Sequence, residues 1–353
     1  MGSGERRRAL GRSARWSWLR VSPGLSSRSA GAAVGWLLAA PLALAATAHL
    51  ARLDQGATVL LLAAGLIPML WAPALLAAAI GWWARRRVLA ALSAGLLVLY
   101  LAWALAGLGI PWAGPPGPPA APRLRLFSAN LYHHNPDVGS IAEEIRAAAP
   151  EVVALTELSP ENAAGLRRTG VLGAYPQAVV RARPGAFGIG LWSRLPLAGA
   201  HVTEVAGVPV IRATVLLDGR RLRLYVVHTV APLGADLDRW REQLAWLDRA
   251  ARQERDPLVV AGDLNATRWH RDLSRLLAGG LDDAHERRGR GWRATWPRDR
   301  WPLPPLLRLD HVLVSRQVGV RAVWEGDGRG SDHLPVLADV FLTGGAPGDD
   351  EGR

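Results

Sequence analysis

The sequence predicts an α/β domain carried on three membrane-crossing helices, and three observations predict it. Residues 30–110 contain three long apolar segments, none with an Asp, Glu, Lys or Arg inside it. Residues 111–122 are uncharged and rich in Pro and Gly. From 123 to 343 the pattern changes to short apolar runs alternating with amphipathic stretches, the pattern of mixed strands and helices in one domain.

Composition narrows the functions available. The chain has 353 residues and no cysteine, which excludes disulfides, thiol catalysis and cysteine–zinc sites. Its net charge of +12 is local. Residues 1–122 carry 11 Arg against Glu5 and Asp54, while the remainder carries 31 Arg against 28 acids, a net of only +3. The basicity therefore belongs to segments beside the apolar helices rather than to the folded domain, which argues against nucleic acid as the main partner.

Residues 1–29 are rich in Arg, Ser and Gly without an apolar period and read as a disordered tail. The apolar segments run over about 30–51, 57–83 and 88–110. Each reaches the roughly 20 residues needed to cross a bilayer core. Pro41, Pro68 and Pro73 lie inside them, as membrane helices tolerate. Trp82, Trp83 and Trp103 suit interfacial or lipid-facing positions. The tail and the Arg85–Arg87 loop are the basic ones, so the positive-inside rule places both in the cytoplasm and the domain outside the cell. Residues 111–122 read as a semi-rigid spacer, and 344–353 as a disordered tail.

Within 123–343, Arg123–Ser128 alternates like a strand and Asp137–Ala149 reads as a capped helix. Val152–Leu155 is a short apolar strand. Ile211–Leu217 and Leu222–Val227 flank Asp218-Gly219, a hairpin signal. Leu237, Trp240, Leu244, Leu247 and Ala251 share one helical face. Leu258–Ala261, Val312–Val314, Val320–Trp324 and Val336–Phe341 read as further strands.

The polar residues at the strand ends carry the chemistry. Asn130 follows the first strand, Glu157 the second and His228 the hairpin. Asp263 and Asn265 follow Leu258–Ala261; Asp310 precedes Val312, and Asp332 with His333 precedes Val336. Strands packed into sheets can pool these ends at one edge. Carboxylates, amides and imidazoles gathered there would make a hard-metal site with acid–base groups beside it.

This order resembles the endonuclease/exonuclease/phosphatase superfamily, which is DNase I-like. The segments that carry the resemblance are Gly-Asp-Leu-Asn (262–265), Arg-Leu-Asp-His-Val-Leu-Val-Ser (308–315) and Ser-Asp-His-Leu-Pro-Val (331–336), with Glu157 and His228 upstream. The resemblance implies a four-layer α/β sandwich over 123–343. It implies Mg²⁺, or Mn²⁺, at Glu157 with Asn130 and Asp332. It implies that Asp310 orients His333 beside the scissile phosphorus, that Asp263 handles the attacking water, and that Asn265 and His228 hold phosphoryl oxygens. Within the Trp- and Arg-rich stretch 291–302, Thr295-Trp296-Pro297 resembles a further family motif, which makes Arg293 and Trp296 candidate substrate contacts. One position departs. Family members that cut at abasic sites commonly carry an acid where this chain has Tyr132.

The expected protein is a multi-pass, membrane-anchored, metal-dependent phosphoesterase acting at the outer face on a phosphate ester or pyrophosphate. The anchor points to a membrane lipid as substrate. The layout is also similar to that of actinobacterial membrane proteins linked to teicoplanin resistance (the vancomycin-resistance J type), which implies a polyprenyl pyrophosphate. An extracellular nuclease on the same fold and a non-catalytic receptor or scaffold are the alternatives.

Overall fold

The computed structural model describes residues 27–53, 58–109, 123–298 and 304–343. Most of the basic tail, the spacer 111–122 and the C-terminal tail lie outside the described residues. The apolar half forms α1 (Ser27–Leu50), α2 (Thr58–Gly65), α3 (Trp71–Trp83) and α4 (Arg87–Gly107). The second expected span is not one helix. A 3-10 turn at Ile67–Met69 separates α2 from α3, and the two bend by 53°. Pro68 sits in that turn, where it has no N–H to give and its ring crowds the preceding turn. Pro41 is carried inside α1 without a break. Thus α1 and α4 are long and apolar enough to cross a membrane, and the bent pair makes a third span only if counted together.

Small residues let these helices pack. A Cβ added at Gly81 would stand 2.7 Å from the backbone nitrogen of Ala90, so α3 and α4 meet backbone to backbone. Tyr100 on α4 donates its hydroxyl to the Leu42 carbonyl of α1 at 2.8 Å. Trp82 and Trp83 face outward, whereas Trp103 lies half-buried with its ring 5.0 Å from His49.

In chain order the strands are β1 (Arg123–Asn130), β2 (Val152–Thr156), β3 (Gln177–Arg181), β4 (Ile189–Ser193), β5 (Leu197–Val205), β6 (Val208–Leu217), β7 (Arg220–His228), β8 (Leu258–Asp263), β9 (Leu281–Asp283), β10 (Asp310–Ser315), β11 (Val318–Glu325) and β12 (Val336–Leu342). The helices are α5 (Val138–Ala148), α6 (Pro160–Thr169), α7 (Leu237–Gln253), α8 (Arg271–Ala278) and α9 (Ala284–Arg287). Local chemistry explains several boundaries. Asp137 caps α5 through the Ser140 N–H, and Ser159 caps α6 ahead of Pro160. Asp218 and Gly219 both take positive φ, as a tight hairpin turn requires.

The strands form two six-stranded sheets, ordered β11-β12-β1-β2-β4-β3 and β5-β6-β7-β8-β10-β9. Their facing sides interdigitate: Leu124, Leu126 and Ala154 pack with Ile211, Leu224, Val259 and Val312. Outside the first sheet lie α5 and α6, through Ile141, Ile145 and Leu166. Outside the second lie α7 and α8, through Trp240, Leu244, Leu247 and Leu273. Each buried strand shows both faces to apolar layers, which is why β2, β8 and β12 are apolar without alternation.

Register then delivers the strand ends to one edge. Asn130 lies opposite Thr156, the residue before Glu157. Asp263 lies opposite His228 on one side and Asp310 on the other. Gly262 makes this crossing possible: its φ is +135°, and a Cβ there would collide with the Val227 carbonyl oxygen. A Gly262→Ala variant should lose about 3 kcal/mol or more of stability, read by thermal or denaturant unfolding. A loss under about 0.5 kcal/mol, the range of a surface substitution, would mean that this close approach is not what places Asp263.

Candidate active site

Asp263 is the hub of a buried cluster drawn from both sheets. His333, from the loop before β12, presents Nδ1 to Asp310 Oδ2 at 2.7 Å and Nε2 toward Asp263 Oδ2 at 3.8 Å. His228 donates from Nδ1 to the Ala186 carbonyl at 3.1 Å, which turns its Nε2 toward Asp263 Oδ2 at 3.6 Å. Asn130 bridges outward, donating from Nδ2 to Asp263 Oδ2 and to Glu157 Oε1, both at 3.0 Å. Asn265 donates its backbone N–H to Asp263 Oδ1 at 2.8 Å and one amide hydrogen to the Thr229 carbonyl. Asn130, Glu157, His228, Asp263, Asn265, Asp310 and His333 are thus brought together.

The electrostatics divide the carboxylates. Burial drives the Asp263 carboxyl up, and the neighbouring Asp310 charge adds to that, against the pull of His333 and His228. Burial also works on Asp310, but His333 and the hydrogen bonds from His333 and Thr295 more than offset it and hold its carboxyl below the usual range. Burial pushes His333 down, yet Asp310 and Asp263 outweigh it and lift it to about 10. Glu157 is held low: burial is outweighed by the His228 charge and by hydrogen bonds from His133 and Asn130. Two carboxyls pushed apart beside a protonated imidazole are the elements of acid–base catalysis.

Several further groups at the site had no role assigned from the sequence. His133 pairs with Glu157 Oε2 through its backbone N–H at 2.9 Å and through Nδ1 at 2.6 Å. Ser331 donates to the Asn130 carbonyl and accepts the His333 N–H, tying the loop before β12 to the end of β1. Thr295 Oγ1, fully buried, accepts from the N–H groups of Leu309 and Asp310. Behind Asp310, His311 lies between Asp283 Oδ2 at 2.6 Å and the Ala266 carbonyl at 2.9 Å. Tyr132, Glu157 and Asn265 all hold positive φ, and such backbone strain in non-glycine residues gathers at functional sites.

Two sets of residues offer themselves to a cation. Asp263, Asp310 and His333 bring ligand atoms within 4.8 Å of one another. In that set His333 Nδ1 is already taken up by Asp310 Oδ2 at 2.7 Å. Glu157 and Asp332 are carboxylates outside that set. Glu157 is held ionised. Asp332 Oδ1 is buried with no hydrogen-bond donor among the described residues. Both supply the oxygen ligands that Mg²⁺ and Mn²⁺ prefer. Asn130 points its Nδ2 hydrogens at the carboxylates, and its Oδ1 accepts the Tyr132 N–H at 2.9 Å.

A sequence model described as the endonuclease/exonuclease/phosphatase family matches residues 127–333, over half of the chain. The chain belongs to this family. It is accordingly a phosphoester hydrolase. Comparison with curated proteins finds no match. Among solved structures, D. rerio TDP2 complexed with single-strand DNA product is similar at 18% identity and a TM-score of 0.54, covering 62% of this chain and 99% of that one. A family member from Bacteroides vulgatus aligns at 18% identity and 0.51, over 62% and 99%. The 3' phosphatase NExo from Neisseria, bound to a product DNA hairpin, aligns at 22% and 0.52, over 61% and 98%. At these identities the likeness shows the family fold, the two-sheet sandwich seen here.

The two residues expected to touch substrate part company. Trp296 donates from Nε1 to Asp332 Oδ2 at 3.3 Å and so stands at the edge of the family site. Arg293 is exposed and looks to Glu325 at 3.7 Å, on the side of the domain that meets the apolar helices. Residues 299–302 of the same stretch lie outside the described residues.

The His333 pairing makes stability depend on pH. A group lifted from 6.5 to about 10 adds stability that is complete below 6.5 and lost as the pH rises through about 10. The gap in unfolding free energy between wild type and His333→Gln, measured with chelator present, should therefore shrink from pH 6.5 toward 10. A gap constant over that range would show that His333 is not held charged.

Proposed function

We propose that this chain is a membrane-anchored phosphoesterase that hydrolyses a phosphate ester or pyrophosphate of a membrane lipid at the outer face of the membrane. The observation that carries the lipid reading is the direct bonding of site-bearing loops to apolar helices. His270 Nε2 donates to the Leu61 carbonyl at 3.0 Å, its Nδ1 being occupied by the Thr267 N–H. Trp292 Nε1 donates to the Ala104 carbonyl at 2.7 Å, and the Gly291 N–H to the Leu108 carbonyl at 2.9 Å. Asn265 and Thr295 lie a few residues from these contacts.

Sidedness has support of the same kind. Every one of these bonds falls near the start of α2 or the end of α4. The Arg85–Arg87 turn lies one helix length away, about 30 Å at 1.5 Å per residue along α4. The Trp83 ring packs beside Gly31, so the N-terminal end of α1 shares that far side. A cytoplasmic position for the start of α1 and the Arg85–Arg87 turn, with the domain on the opposite side, accords with the positive-inside rule.

In the mechanism, Asp263 takes the proton of the attacking water, a task suited to a carboxyl pushed up by burial. His333, kept protonated and oriented by Asp310, donates to a phosphoryl or leaving-group oxygen. Asn265 has a second amide hydrogen, and His228 faces the same space; both hold phosphoryl oxygens. A divalent cation such as Mg²⁺ or Mn²⁺, held by Glu157 and Asp332 with Asn130 beside them, would neutralise phosphoryl charge. Trp296 steadies Asp332.

A nuclease is the second reading, favoured by the DNA products in the similar structures. The net charge of only +3 over residues 123–353 and the bonded apolar helices weigh against it. The test is the full chain in detergent with Mg²⁺, offered a polyprenyl pyrophosphate and plasmid DNA in parallel. Phosphate release is expected, abolished by EDTA and lowered about a hundredfold or more in His333→Ala. Nicking without phosphate release would make the chain an anchored nuclease. Neither activity, with no Mg²⁺ binding, would move the scaffold reading forward.

A further inference from the structure

The bend in the second span does more than interrupt a helix. Between it and the domain lies a cavity of about 310 Å³. One wall is the bend itself: Gly65, Pro68, Met69, Trp71 and Ala72. The other is made by three loop segments of the domain, at 267–269, 291–294 and 306–308. Those segments are the ones that build the site. Thr267 stands two residues beyond Asn265, Ala294 adjoins Thr295, and Arg308 stands two residues before Asp310.

The lining has two characters. Trp71, Met69, Trp269 and Leu307 make it mainly apolar. Arg268, Arg293 and Arg308 are among the residues of the same wall. Arg308 and Arg268 are tied to Glu286, and Arg308 also faces Asp283. Arg293 is the loosest of the three, with its side chain 61% exposed and Glu325 no nearer than 3.7 Å. A pocket apolar within, cationic at its wall and bounded by a membrane-helix break fits a molecule with an anionic head and an apolar chain. Water-soluble phosphoesters have nothing to place against Trp71 and Met69.

We infer that this cavity is the binding site for the apolar chain of the lipid phosphate substrate, admitted from the bilayer at the Pro68 bend, with Arg293 meeting the charged head on its way to His333. The inference rests on the lipid-phosphate reading above and adds a specificity site to it. It assigns Arg293 a substrate contact outside the catalytic cluster.

Chain length with a constant head separates the possibilities. The full chain in detergent, with Mg²⁺, is given dimethylallyl pyrophosphate and farnesyl pyrophosphate, and kcat/KM is measured for each. Wild type should prefer farnesyl by about tenfold or more, the discrimination that burial of extra apolar carbons allows. Ala72→Trp, which fills the cavity, should bring the ratio toward one, chiefly by raising KM for farnesyl. Met69→Ala, which removes an apolar side chain from the wall, should weaken the preference for the longer chain, chiefly by raising KM for farnesyl. Arg293→Gln should raise KM for both substrates. Two results overturn the inference while leaving the lipid-phosphate reading standing: hydrolysis of both substrates by wild type without chain preference, or a preference unchanged in an Ala72→Trp variant that melts like wild type. If wild type hydrolyses neither substrate, nor a long polyprenyl pyrophosphate, the reading itself falls and the pocket assignment falls with it. If Ala72→Trp fails to fold, Met69→Ala decides: a chain preference lost there, with KM for dimethylallyl unmoved, supports the site, and an unmoved preference together with an unmoved farnesyl KM overturns it.

Discussion

His333 gives Nδ1 to Asp310 across 2.7 Å while its other nitrogen looks to Asp263 at 3.8 Å, with all three side chains shut away from water. A buried charge is costly unless it is paired and hydrogen-bonded. Much of the surrounding structure supplies that pairing. Asp310 and Asp263 are neighbours because β8 and β10 run antiparallel in that register. His333 belongs to the other sheet and is positioned by Ser331, which also binds the end of β1. The contact between the two sheets is therefore a condition of the chemistry as well as of the core.

The cluster separates two tasks that could have competed for one set of residues. Asp263, Asp310 and His333 satisfy each other and keep a proton between them. Glu157 is bonded to Asn130 and Asp332 to Trp296, and these are the two carboxylates to which the proposed function assigns a cation. The strained backbone at Tyr132, Glu157 and Asn265 marks where chains leave sheet geometry to deliver these side chains. Asn162 braces two of those departures by donating to the carbonyls of Tyr132 and Glu157.

Much of this was legible in the sequence because strand ends are short-range features. Glu157, His228 and Asp263 each follow an apolar run that could only be a buried strand, so their common edge followed from the layering. Other parts depend on long-range pairing. β3 is exposed along nearly its whole length and β9 has three residues, so neither carries a burial pattern. Nothing in its local sequence marks His133; its role comes from Glu157, 24 positions away. The break at Pro68 was hidden because prolines in apolar helices often do no more than Pro41 does here. Arg293 was singled out for its neighbours in sequence, yet the fold turns it toward Glu325 and the apolar helices.

The division of labour is tested most directly by calorimetric titration of Mn²⁺ into the full chain, comparing wild type with Glu157→Gln and His333→Gln. Glu157→Gln should weaken binding at least about tenfold, in the range seen when residues supporting a metal are altered, while His333→Gln should bind nearly as wild type does. The reverse order would place the cation among Asp263, Asp310 and His333 and contradict the account of His333 as a charge held by carboxylates alone.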